Sequence, residues 1–153
     1  MFRTLSLPAL LALAALAPLA APAAAAECKA TVESNDAMQF TTKALTVPKG
    51  CKQFVVTLKH VGKLPATVMG HNFVVARTAD VNAVASDGMK AGAAAHYVKA
   101  GDPRVIAASK VIGGGESTTV AIPVGKLKAG ESYTFVCTFP GHSSIMRGTL
   151  TLK

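Results

Sequence analysis

The chain has 153 residues, half of them hydrophobic, with no Trp and a formal net charge of +8. That length suits one domain with its own core and excludes a multidomain assembly, while the hydrophobic share excludes a disordered polyelectrolyte. The basic residues are scattered, without runs or interleaved aromatics, which argues against nucleic acid and for solubility and steering toward acidic partners.

The N-terminus reads as a leader. Arg3 gives a positive start, Leu5 to Leu19 is a Leu/Ala run, and Ala23–Ala25 or Ala24–Ala26 offers a small-residue cleavage site. The apolar run is short for a membrane span and is broken by Pro8, Pro18 and Pro22, and every later apolar run is cut by charge, Gly or Pro. The expectation is a secretory signal over 1–25, no membrane insertion, and a single domain over 26–153 of 128 residues (153 less 25) with charge +7 once Arg3 is gone.

Past the leader, strands follow one another with turns between. Lys29 to Val32 and Phe40 to Val47 are short candidates. Phe54, Val56 and Leu58 alternate with Val55, Thr57 and Lys59, the period of a half-buried strand. Asn72 to Ala76 is another candidate. The one helical segment is predicted from about Ala79 to Asp87, with Thr78 capping its start and Gly88 its end. Lys90 to Ala100 is Ala-rich and irregular. Gly113-Gly114-Gly115 and Ala129-Gly130 mark turns around the alternation Val120, Ile122, Val124, which ends near Pro123. Tyr133 to Cys137 and the alternation at Leu150 and Leu152 complete the chain. Short strands with regular turns argue an all-β fold, a Greek-key β-sandwich with one short helical flap.

Three cysteines stand in a chain read as exported. Cys28 and Cys51 are 23 apart, and a disulfide between them leaves Cys137 as the odd thiol. Cys137 lies in Cys137-Thr-Phe-Pro-Gly-His142-Ser-Ser-Ile-Met146, so a thiol, an imidazole and a thioether share one short loop, with a second imidazole, His71, 66 positions upstream. Two His, one Cys and a weak Met form the donor set that suits a copper ion cycling between Cu(I) and Cu(II). Pro140 limits the loop's backbone freedom, and Gly141 permits a dihedral other residues resist. Taken singly, His71 reads as a strand-end residue, Met146 as core and Cys137 as an inert thiol. Their joint occurrence at this spacing favours a metal.

The run Cys137 to His142 with Met146, together with Met69-Gly70-His71-Asn72, Ala26-Glu27-Cys28, Cys51-Lys52-Gln53-Phe54, Asp87-Gly88-Met89 and the closing Gly148 to Lys153, resembles the azurins, blue copper proteins of the cupredoxin family. The resemblance covers essentially all of 26–153. It implies a cupredoxin-like sandwich holding one type 1 copper ion, with His71, Cys137 and His142 equatorial and Met146 and the Gly70 carbonyl as distant axial neighbours. It implies that Asn72 ties the two ligand loops together by hydrogen bonds and that the Phe139 N–H points at the Cys137 sulfur. It places Met38, Leu64, Val68, Met69, Met89, Phe139, Pro140 and Ile145 around the edge of His142 as a contact patch. The implied activity is that of a periplasmic one-electron carrier, a monomer and not an enzyme. It would meet redox proteins such as c-type cytochromes or a periplasmic reductase in transient complexes, passing electrons through the His142 edge. His60 falls beside the copper region, where a structural role is expected, and His96 reads as a solvated loop residue. Two departures stand out: Phe73 follows Asn72 where many azurins place a buried Trp, and Ala108 stands where some carry a surface His.

Three other chemistries fit parts of the pattern. A copper-delivery protein would use the same donors, but favours open sites on mobile segments, not one compact Pro-Gly loop. A Cys–His hydrolase would make Cys137 the nucleophile and His142 the base, leaving His71 and Met146 idle and needing a group such as Asn72 to orient the base. Zinc also accepts two His and one Cys.

Overall fold

The alternation at Phe54, Val56 and Leu58 becomes an eight-residue strand whose apolar positions are buried and whose intervening positions are not. In the computed structural model, which describes residues 27–153, this strand belongs to one of two sheets that face each other. Nine strands are formed: β1 Lys29–Asn35, β2 Gln39–Phe40, β3 Ala44–Val47, β4 Gln53–His60, β5 Val74–Arg77, β6 Val105–Ala108, β7 Ser117–Pro123, β8 Tyr133–Val136 and β9 Arg147–Leu152. The first sheet runs β2-β1-β4-β7 and the second β3-β9-β8-β5-β6. The pairs β1–β4 and β3–β9 are parallel and the other pairs antiparallel. The expected leader over 1–25 lies outside the described residues.

Between the sheets Val32, Phe40, Val56, Leu58, Phe73, Ile122, Phe135 and Leu150 are buried to 1% exposure or less. Phe73 stacks on Phe135 with ring centres 4.9 Å apart, and Phe40 lies tilted against both. An aromatic cluster thus occupies the place where the resemblance leads one to look for Trp, and Phe73 is fully buried there.

Helix α2, Val81–Ala91, lies over the outer face of the second sheet. Its Val81, Val84, Ala85 and Gly88 fall at i, i+3, i+4 and i+7 and form the buried stripe, packing with Val74, Ala76 and Val136. β8 is therefore buried at all four positions, which is why it shows no alternation in sequence.

Several boundaries differ from expectation. The helix begins at Val81 after a 3-10 turn at Thr78–Asp80, and Thr78 does not cap it: its hydroxyl pairs with that of Thr134 at 2.9 Å. Nor does Gly88 end the helix. The end comes at Gly92, whose φ of 79° only glycine adopts readily, and Gly88 instead leaves room for the Tyr97 carbonyl. The stretch Phe40 to Val47 is two strands, because the chain bends over Thr41–Lys43 and passes from one sheet to the other. β6 and a single-turn helix, α1 at Ala66–Met69, were not foreseen.

Topology gathers the site. β5 runs antiparallel to β8 with Val74 opposite Val136, and β9 runs antiparallel to β8 with Arg147 opposite Val136. The residues just before β5, just after β8 and just before β9 therefore meet at one end of the second sheet. Those are His71, Cys137 and Met146.

Candidate metal centre

Each donor is fixed by backbone before its side chain is considered. His71 exchanges hydrogen bonds with Ile112, the His71 N–H donating at 3.0 Å and the Ile112 N–H at 2.9 Å. The Cys137 N–H donates to the Met146 carbonyl at 3.0 Å. From Phe139 the loop turns tightly: the N–H of His142 donates to the Phe139 carbonyl, and those of Ile145 and Met146 donate to the His142 carbonyl. Gly141, at φ 82°, supplies the left-handed residue this turn requires.

The ligand atoms of His71, Cys137 and His142 all lie within 4.8 Å of one another, and all three residues are buried. The Cys137 Sγ is 3.9 Å from His71 Nδ1, 3.6 Å from His142 Nδ1 and 3.9 Å from the Gly70 carbonyl oxygen. His71 Nε2 donates to the Asn35 carbonyl at 2.9 Å, which leaves the Nδ1 lone pair facing the sulfur. Burial lowers the His71 pKa to about 4, against the raising effect of the Asn35 carbonyl, and burial also lowers that of His142. Both rings are therefore neutral at pH 7, as ligands must be. Burial pushes the Cys137 thiol up to about 11, although backbone N–H groups of Asn72 and Phe139 are directed at the sulfur. A buried thiol flanked by two neutral imidazoles, with N–H groups aimed at its sulfur, suits a cation that draws off the proton and holds the thiolate.

Asn72 bridges the segment bearing His71 to the loop bearing Cys137. Its Oδ1 accepts the Thr138 N–H, and its Nδ2 donates to the Thr138 hydroxyl and the His96 carbonyl, each at 2.8 Å. Among the described residues these bonds of Asn72 run to Thr138 and His96, and none runs to His142. The Phe139 backbone N–H, like that of Asn72, favours the thiolate at this sulfur. The Asn72 N–H, the Asn35 carbonyl, Thr138 and Tyr97 were missed. Thr138 donates from its hydroxyl to the Tyr97 carbonyl at 2.7 Å. Both His96 and Tyr97 have positive φ, 52° and 55°, which turns their carbonyls toward these donors.

Met146 is fully buried at the end of the loop. Gly70 has no room for a side chain, since a Cβ there would lie 2.6 Å from Val111 Cγ1 and 2.8 Å from Phe139 Cε2. His60 is buried at the end of β4, donates from its Nε2–H to the Asp36 carboxylate at 3.1 Å, and meets the His71 ring edge-on at 4.4 Å. His96 is exposed, yet its Nδ1 accepts the Val111 N–H at 3.3 Å. Of the expected patch, Leu64, Val68, Met89, Pro140 and Ile145 are exposed and Met38 and Met69 half-buried, whereas Phe139 is buried and lies tilted against His142 with ring centres 4.8 Å apart.

Two facing sheets with a buried Cys-His₂ cluster at one end define a cupredoxin-like sandwich, and the donor set suits one copper ion. The comparisons agree: residues 26–153 match the family described as copper binding proteins, plastocyanin/azurin family. The chain is 60% identical over 127 residues to azurin-2 of Alcaligenes xylosoxydans xylosoxydans, covering 83% of this chain and 98% of that protein. It is 56% identical over 129 residues to the azurin of Pseudomonas aeruginosa, covering 84% and 87%. The solved structure of the azurin Az-iso2 from Methylomonas sp. strain J superposes with a TM-score of 0.81 at 48% identity, covering 84% of this chain and 99% of that one. The chain belongs to the plastocyanin/azurin family of copper-binding proteins. Family and site together support a copper electron carrier.

Proposed function

We propose that the protein is a periplasmic one-electron carrier and not an enzyme, working as a monomer in transient complexes with redox proteins such as c-type cytochromes or a periplasmic reductase. Export is supported by the leader-like sequence and by the Cys28–Cys51 disulfide, with Cα atoms 5.7 Å apart, which suits an oxidising compartment. Among the described residues no helix is long and apolar enough to cross a membrane.

The observation that carries the reading is that three donors converge in a buried pocket whose backbone is already fixed on both sides. His71, Cys137 and His142 would hold copper, with the Met146 thioether and the Gly70 carbonyl as further, weaker donors. Copper, when bound, supplies a one-electron couple between Cu(I) and Cu(II). The chain supplies rigidity. Asn72 joins the loop bearing Cys137 to that bearing His71, and the Asn35 carbonyl fixes the His71 ring, so the donors keep their positions whichever charge they face. The N–H groups of Asn72 and Phe139 lower the electron density at sulfur, and burial of all three donors excludes water.

His142 is the group nearest to a partner. It is 3% exposed, with Phe139 beneath it and exposed Leu64, Val68, Met89 and Ile145 forming the contact patch. A patch of this kind releases readily, as a shuttle requires.

The test compares electron exchange with copper loss. The copper-loaded protein exchanges electrons with a small redox protein faster, by orders of magnitude, than it yields copper to a chelator. Val68→Asp slows that exchange about tenfold, the effect of roughly 1.4 kcal/mol at an interface, without altering the visible spectrum. Copper passing to the chelator as fast as electrons pass would make the protein a copper-delivery factor instead.

A further inference from the structure

The loop that bears His142 and Met146 is attached at its Cys137 end to the segment that follows α2 and at its Met146 end to α2 itself. At the Cys137 end, the Thr138 hydroxyl reaches the Tyr97 carbonyl. At the Met146 end, Arg147 folds back over the loop. Its Nε donates to the Ser143 carbonyl at 2.7 Å and its Nη2 donates to the same oxygen. Nη2 also donates to Asn82 Oδ1, at 3.2 Å, on the first turn of α2.

We propose that Arg147 is a positioning residue for the copper ligands His142 and Met146, acting as a fork that clamps their loop to α2. This rests on the copper reading above. Three observations carry it. Arg147 directly follows Met146, and its backbone is held in β9 opposite Val136, the residue before Cys137. The guanidinium therefore projects from a fixed point. Ser143 directly follows His142, and its carbonyl lies in the single turn closed by the bonds from Ile145 and Met146 to the His142 carbonyl. A planar cation with two parallel N–H groups is the side chain that holds one such oxygen in a defined direction and still has a donor for a second partner. Asn82 is exposed on the helix and supplies that second oxygen, so the loop is tied to an element that packs on β5 and β8, the strands next to His71 and Cys137. No local sequence pattern marks the anchor, since Asn82 lies 65 positions from Arg147 and meets it only in the fold.

Arg147→Ala removes the fork, Arg147→Lys keeps the charge with one donor position, and Asn82→Ala removes only the anchor. In the copper-loaded protein, Arg147→Ala releases copper to a chelator about tenfold faster, at the lower end of what losing a group that orients a ligand does, and shifts the thiolate-to-copper band and the potential. Arg147→Lys gives a partial return and Asn82→Ala a smaller change in the same direction. In the copper-free protein, hydrogen exchange at the Ile145 and Met146 amides loses protection in Arg147→Ala. That readout stands even if the unmodified protein gives no blue band, an outcome that overturns the copper reading and not the clamp. Wild-type spectrum, potential, copper release and amide protection in Arg147→Ala overturn the proposal. So does full rescue by lysine together with a silent Asn82→Ala, which leaves charge alone as the cause.

Discussion

Asn72 and His71 show how much a single side chain decides at this site. With both amide atoms of Asn72 engaged by Thr138 and His96, Asn72→Ala leaves the buried Thr138 N–H without its acceptor. A stranded donor of that kind costs about 1–3 kcal/mol, so the copper-free variant is less stable by that amount, seen as a lower urea midpoint. For His71 the sign follows from its depressed pKa, about 4 in the fold against the ordinary 6.5. Between those values the unfolded chain binds the proton and the folded one does not, so stability falls as pH drops through that window. Urea titrations of the copper-free protein at pH 7 and pH 4.5 show a lower midpoint at the acid value, and an unchanged midpoint would contradict the burial of this ring. The clustered donors His71, Cys137 and His142 were legible because Cys137 and His142 share one loop and His71 sits in a distinctive Gly-His-Asn. The Asn35 carbonyl, Tyr97 and the Arg147–Asn82 bond were not, because hydrogen bonds between distant residues leave no periodic trace.

The strands with one buried face were readable from alternation, as in β4, β7 and β9. Those with both faces covered were not: β8 is buried throughout because α2 lies over it. β6 at Val105–Ala108, with no strongly buried face, carries no alternation to read. The helix illustrates a tertiary contact overriding a local signal. Gly88 looks like a stop, yet it lies mid-helix because the Tyr97 carbonyl occupies the space a Cβ would take. By helix propensity alone, Gly88→Ala stabilises by about 1 kcal/mol. Here it forces the backbone at Tyr97 to move, and with it the carbonyl that holds Thr138. The expected outcome is a net loss of about 1–3 kcal/mol, the range of overpacking, seen as a lowered thermal midpoint. A raised midpoint would show that the flap yields freely.

Over the whole molecule, two sheets, a disulfide near the start of the described chain and a flap over the second sheet place a rigid pocket at one end. The positive charge, +7 over residues 27–153, suits steering toward acidic partners, an effect that weakens as salt shortens the range of the field. The central claim is that Cys137, His71 and His142 jointly hold one copper ion through a buried thiolate. Adding Cu(II) to the purified copper-free protein, while recording visible and electron paramagnetic resonance spectra, tests it most directly. One equivalent produces an intense blue thiolate-to-copper band that disappears on reduction and does not form in Cys137→Ser. A colourless adduct, or a band that survives in Cys137→Ser, would contradict the account.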